Sequence, residues 1–225
     1  MTAAKTMRTG LALLAAGLIL AGCGNGPDDR SQIIKQLPTL FQKKPAPQPL
    51  TGQQVAQALT ATPRPVQMFE IESRKGQFLM QQIETNGPYR TYGSSTRQVV
   101  NMRGGMMTST RGFGGDLMSS EVGALLSQVS ARRAGTARYD LRYLTPEDVT
   151  VVASYLCQVT PGGSRAVQGG LVQTTGTVVT AECNSTDPVH SFTNTYVVAS
   201  DGYVLSARQY MGGFTGYMAT QALRR

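Results

Sequence analysis

The sequence predicts a mainly β protein, an antiparallel β-sandwich or open barrel of about ten strands with one or two short helices, and three observations carry that prediction. From Pro65 onward the chain runs in short segments that alternate apolar and polar residues, the period-two signature of half-buried strands. Glycine- and asparagine-rich turn signals separate those segments closely, which suits hairpins rather than the long crossovers of a parallel sheet. In the interior of the chain, "SSEVGALLSQV" is the one stretch with convincing helical spacing, placing Val122, Leu125, Leu126 and Val129 on a shared face.

Residues 1–22 read as a signal peptide. Lys5 and Arg8 are the only charges before the apolar run "LALLAAGLILAG", which is the charged n-region and apolar h-region of a secretory signal. About a dozen apolar residues fall short of the roughly 20 a membrane-spanning helix needs. The run ends in Leu20-Ala21-Gly22-Cys23, which resembles the lipobox of bacterial lipoproteins. The resemblance implies that Cys23 is the lipidation site: its thiol takes a diacylglyceryl group, the chain is cut before it, and the new amino terminus is acylated by a chain such as palmitate. Several acyl chains exceed the two signals that stable anchoring requires. Gly24 follows, not the aspartate of an enteric inner-membrane retention signal, so the expected address is the periplasmic face of the outer membrane. The alternative is an ordinary cleavage site with a chance cysteine beside it.

Residues 23–50 read as a lipidated flexible tether and 51–225 as a single β-rich periplasmic domain. "GNGPDDRS" is rich in breakers and "KKPAPQPL" is a semi-extended proline linker. Between them "QIIKQLPTLF" has helical apolar spacing interrupted by Pro38. Thr51 is placed to cap a short helix over "GQQVAQAL". Strand-like runs follow: "VQMFEIES", "GQFLMQQIET", "RTYGSSTRQVVNMRGGMMTSTR", "ARYDLRYLT", "DVTVVASYLCQVT", "GLVQTTGTVVTAEC", "SFTNTYVVAS" and "YVLSARQYM". Asp201-Gly202, between the last two, is a hairpin signal that predicts a type I′ turn with positive φ at both residues.

Once Lys5 and Arg8 leave with the signal, the formal net charge falls from +8 to +6. A basic surface favours anionic partners such as lipid headgroups or acidic polysaccharide, and the compartment excludes nucleic acid. Cys157 and Cys183 lie in strand-like segments, and an oxidising periplasm permits a disulfide between them. Zinc or thiol chemistry is disfavoured, because the chain holds one histidine, His190, and no CxxC. The same scarcity removes a nucleophile–histidine pair, and no GxSxG elbow occurs. Glu121, Asp140, Glu147, Asp148, Glu182 and Asp201 supply carboxylates, but spacing alone pairs none of them. The expectation is therefore no catalytic residues, no metal and no cofactor.

"TRGFGGDLMSSE" (110–121) has a superficial likeness to a phosphate loop. Gly112, Gly114 and Gly115 are in the wrong register for GxGxxG, Leu117 stands where a third glycine is wanted, and no βαβ pattern surrounds them. Preceded by "RQVVNMRGGMMTS", the stretch instead resembles a signature of the GfcB/YjbF lipoproteins of capsule and exopolysaccharide operons, in which a strand leads into T-R-G-x-G-x-D-L and a helix. "NTYVVASDGYVLSARQYMGGFTGYMATQAL" is similar to that family's second recurrent block. The resemblance implies a non-enzymatic outer-membrane lipoprotein acting in assembly or export of a surface polysaccharide, beside an operon-encoded outer-membrane β-barrel and periplasmic proteins. Binding of an acidic polysaccharide and a lipid-carrying half-barrel are the competing expectations. Where relatives carry tryptophan this chain has none, leaving tyrosines such as Tyr89, Tyr92, Tyr203, Tyr210 and Tyr217 to stack on sugars. Within the glycine stretch, Arg111 ends a strand, Asp116, Ser119 or Ser120 caps a helix, and Arg111 and Asp116 are the candidate interaction residues.

Overall fold

Thr51 opens the first element as the sequence requires. Its hydroxyl accepts from the Gln54 backbone at 3.2 Å while the Gln54 side chain accepts from Thr51 N at 2.8 Å, a reciprocal capping box for helix α1 (Gly52–Ala61). The computed structural model describes residues 48–144, 147–185 and 190–225. The signal sequence, Cys23 and nearly all of the proposed tether lie outside the described residues. After α1 come β1 (Val66–Ile71), a 3-10 turn (Glu72–Arg74), β2 (Gly76–Asn86), β3 (Tyr89–Gly93), β4 (Val99–Arg103), β5 (Met106–Arg111) and β6 (Leu117–Glu121). Helix α2 (Gly123–Ser130) leads to β7 (Gly135–Leu144), β8 (Thr150–Gly169), β9 (Val172–Ser185), β10 (Ser191–Val198), β11 (Val204–Tyr210) and β12 (Tyr217–Arg224).

All twelve strands among the described residues join one antiparallel sheet in the order β5-β4-β3-β2-β1-β12-β11-β10-β9-β8-β7-β6. The sheet curls into a nearly closed barrel, so its two end strands, β5 and β6, meet although no backbone ladder pairs them. Side chains make the join. Ser120 Oγ donates to Thr108 O at 3.0 Å, Leu117 N donates to Thr110 Oγ1 at 3.0 Å, and the Arg111 guanidinium donates to the Leu117 and Met118 carbonyls at 3.2 Å each. Edge groups that would otherwise template another chain are thereby occupied.

The observed count of twelve strands exceeds the expected ten because β6 and β12 escape the sequence pattern. Ser119 and Ser120 lie in β6, not at a helix cap, since Ser120 turns to β5. The N-cap of α2 is Val122, whose hydrocarbon side chain offers no acceptor for a cap and is buried in the core. In β12, Met218, Thr220 and Ala222 are buried alternately, but its two alanines blur the β signal. The Asp201-Gly202 turn also differs from expectation. Only Gly202 has positive φ (87°); Gly202 N donates to Ala199 O at 3.0 Å and Ala199 N to Tyr203 O at 2.8 Å, a three-residue loop with a bulge. The register shift there lets adjacent Val204 and Leu205 bury in different clusters. The type I′ geometry appears instead at Gly104-Gly105 (φ 57° and 87°), where a Cβ on Gly105 would stand 2.2 Å from Val204 O.

The barrel interior is filled by side chains. Phe69, Met80, Tyr92, Met106, Tyr139 and Tyr196 are fully buried there, and α2 adds Leu125 and Val129. Gln209 on β11 reaches across to β5, accepting from Met107 N at 2.8 Å. Outside the barrel, α1 packs Leu59 on Val66 and Leu223. The long β8–β9 hairpin shifts register at Pro161–Ser164, where a proline costs no ladder bond. Beyond it the hairpin tip lies along β12, with Leu171 N donating to Leu223 O at 2.8 Å. Val167 and Val172 there cover Val197 and Leu205.

The expected disulfide joins Cys157 and Cys183, which face each other across β8 and β9 with an S–S distance of 2.01 Å. Both half-cystines are buried. The link closes a 26-residue separation, so it removes about 3 kcal/mol of unfolded-state chain entropy. Reduction, or Cys157→Ala with Cys183→Ala, is expected to lower unfolding free energy by about that amount in denaturant melts. Alkali acts on the core separately. Burial pushes the Tyr139 phenol up to about 12 and Tyr196 well above its usual 10.0. A phenol held neutral in the fold ionises near 10 once unfolded, so its stabilisation is intact below pH 10 and is lost as pH rises toward 12. Phenolate absorbance is expected to show these two residues titrating only together with unfolding.

Candidate functional site

At one end of the barrel, three segments meet, and each is held by ordinary hydrogen-bond chemistry. Arg208 on β11 makes a bidentate pair with Glu72 at 2.7 and 2.8 Å, which fixes the 3-10 turn. From that turn Ser73 Oγ donates to Thr215 O at 3.1 Å and Arg74 donates to Phe113 O at 2.8 Å. These acceptors belong to the two connections that the sequence marks with glycines, residues 112–116 between β5 and β6 and residues 212–216 between β11 and β12.

The first connection is organised by Asp116. Its carboxylate accepts from Gly112 N at 2.8 Å, Phe113 N at 3.2 Å and Thr110 Oγ1 at 2.9 Å. Gly112 and Gly114 take φ of 85° and 82°, which a side chain would strain. Phe113 then turns inward against Phe78, with centroids 5.7 Å apart. Gly115 meets a different demand: a Cβ there would stand 2.3 Å from Phe214 Cδ1 and 2.6 Å from Phe214 Cβ. The glycine backbone is therefore the floor on which Phe214 lies.

From the second connection, Thr215 is buried and its hydroxyl donates to Gly115 O at 2.9 Å. Phe214 itself is 72% exposed although its backbone is pinned by Thr215 on the next residue. The Arg74 guanidinium lies 5.8 Å from its ring centroid. Asp116, Tyr143, Leu144, Gly212 and Gly213 join Phe214 around a small cleft. Leu144 is half exposed, so the rim presents two apolar side chains beside a carboxylate.

A model of the family described as "Group 4 capsule polysaccharide lipoprotein gfcB, YjbF" matches residues 35–223. The chain belongs to the YjbF family. Membership makes it a capsule-related lipoprotein and implies association with a membrane. Among the described residues no helix is long and apolar enough to cross one. The fold of this YjbF-family chain is similar to the crystal structure of the hypothetical lipoprotein YmcC from Escherichia coli (K12). The TM-score is 0.66 over 85% of this chain and 94% of that one, at 16% sequence identity. No curated protein matches the chain.

The structure places Arg111 at the end of β5 and Asp116 in the loop that follows it, both within the first family block. The Arg111 guanidinium lies against the Thr110, Leu117 and Met118 carbonyls, while Asp116 organises the glycine loop and lines the cleft. Asp116 caps that loop and not α2, which begins at Gly123. Of the five tyrosines named for sugar stacking, Tyr89 is exposed, Tyr92 is in the core and Tyr217 is covered by Arg208 at 3.4 Å. Sequence reasoning missed Phe214 and Thr215. The available signal was an aromatic residue inside "GGFTG", where so many glycines leave it no local apolar neighbours.

Gly115→Ala is expected to lift Phe214 and Thr215 and cost about 1–3 kcal/mol, as overpacking does. Gly163→Ala, with nothing within 4 Å of the added carbon, serves as the control and should stay within about 0.5 kcal/mol in the same melts.

Proposed function

We propose that the protein is a non-enzymatic assembly component of capsule or exopolysaccharide export. Lipid on Cys23 anchors it to the periplasmic face of the outer membrane, and the Phe214 rim docks a polysaccharide-operon outer-membrane β-barrel or a periplasmic protein. The observation that carries this reading is the exposure of Phe214 on a platform held rigid by Thr215, Ser73 and Arg74. An aromatic side chain already ordered in the free protein gives up little conformational freedom on binding, which is what an anchor residue of an interface needs. Asp116 and Leu144 border it and complete a mixed polar and apolar contact.

What the acids do supports a non-catalytic role. Asp116 is held by loop amides, Glu72 pairs with Arg208, Asp140 with Arg138 and Asp201 with Arg225. The capsule context comes from the family, and the lipidation from the Leu-Ala-Gly-Cys stretch. A lipid-carrying half-barrel would need an apolar lumen in the space that Met80, Tyr92, Met106 and Tyr196 occupy.

Phe214→Ala should fold with unchanged melting behaviour yet lose about 2 kcal/mol of partner affinity, roughly thirtyfold. Surface polysaccharide should fall with it in cells expressing the variant. Normal polysaccharide output together with normal partner co-purification would overturn the assignment. Cys23→Ser is expected to move the protein from the membrane fraction to the soluble periplasmic fraction.

A further inference from the structure

A second feature lies away from the Phe214 rim, in a polar furrow that crosses β3, β4 and β5. Thr91, Asn101 and Ser109 are direct neighbours across those strands. They point away from the core, because the intervening Tyr92, Val100 and Met102 fill the interior. Thr91 Oγ1 donates to Asn101 Oδ1 at 2.7 Å, and Asn101 Nδ2 donates to Ser109 Oγ at 2.9 Å. All donors in this chain run in one direction, so each bond polarises the next. The Ser109 proton and the Thr91 lone pairs remain at the two ends to meet a ligand.

The furrow has a volume of about 420 Å³, within the range of small-ligand sites. Tyr89 and Glu84 stand at the β2–β3 end and Ser119 of β6 at the other. Tyr89 is 38% exposed, and Arg103 lies 5.8 Å from its ring centroid. Hydroxyl, amide and carboxylate groups beside one aromatic ring suit a sugar, whose hydroxyls both donate and accept and whose C–H faces stack on aromatic rings. An added peptide strand does not fit, since β3 and β4 are paired on both sides and offer no free backbone edge. Among the described residues Glu84 is the one charged side chain in the lining, with Arg103 beside the Tyr89 ring but not lining the furrow, so an anionic sugar seated there would face a carboxylate.

We infer that this furrow binds an uncharged, hydroxyl-rich pyranoside stretch of a glycan, held by the Thr91-Asn101-Ser109 chain and stacked on Tyr89. Glu84 disfavours uronate or phosphorylated sugars there. The inference deepens the proposed role, because it rests on the reading that the protein works on polysaccharide, and it gives the molecule separate protein-facing and sugar-facing surfaces.

The test uses the full chain in detergent micelles on an array of neutral oligomers of glucose, mannose, galactose and N-acetylglucosamine beside polygalacturonate, with calorimetry on whatever is retained. At least one neutral oligomer should be retained. Its affinity should drop about tenfold in Tyr89→Ala and in Asn101→Ala, one bond or stack each, and stay at the parent value in Phe214→Ala. Glu84→Gln should raise binding of polygalacturonate relative to the neutral oligomer. Because Asn101→Ala also removes internal bonds, Tyr89→Ala on the exposed rim decides if the former unfolds. Retention of polygalacturonate alone, no retention of any neutral oligomer, or unchanged affinity in Tyr89→Ala would each overturn the inference. Loss of partner docking in Phe214→Ala with sugar binding preserved, or the reverse in Tyr89→Ala, tells failure of one surface from failure of the other.

Discussion

A long antiparallel sheet that bends back on itself must resolve the meeting of its two ends, and here that meeting falls between β5 and β6. A backbone ladder would have continued the barrel uniformly. Instead Ser120, Thr110 and Arg111 satisfy the edge groups one by one, and the five residues between the strands are freed from pairing. Those five residues are the glycine loop. Its shape depends on the seam at Thr110 and Leu117, and the Phe214 platform depends in turn on its shape. The exposed rim is thus a consequence of how the barrel closes.

The remaining architecture stiffens what the seam leaves open. The cystine bridges β8 and β9, and the tip of their long hairpin reaches back to β12. Gln209 ties β11 to β5 through the interior. The polar furrow, by contrast, sits on a stretch of sheet whose other face is densely packed with Tyr92, Val100 and Met102. That packing allows the outward residues Thr91, Asn101 and Ser109 to hold one arrangement without contributing to the core.

Much of this was legible wherever local chemistry decides structure. Thr51 with Gln54 announces its helix, alternation announces most strands, and two cysteines in strand-like segments announce their bond. Reading failed where distant partners override local preference. Ser119 and Ser120 look like caps until β5 arrives to accept from Ser120. Asp201-Gly202 favours a tight I′ turn, but a bulged loop buries both Val204 and Leu205. Arg111 and Asp116 were recognisable as special without it being visible that Arg111 bonds across the seam to β6 and Asp116 back into its own loop. Phe214 was illegible because its surroundings, Gly115 and Arg74, come from segments about a hundred or more residues away.

The position of β12 bears on how such a chain matures. In the sheet, β1–β5 form one wing and β6–β11 the other, and among the described strands β12 alone joins them by its ladders. It also follows every other described strand in chain order. Neither wing can complete its hydrogen bonding before β12 is in place, since β1 and β11 both await it as a neighbour. Closure is therefore a non-local step that waits on β12.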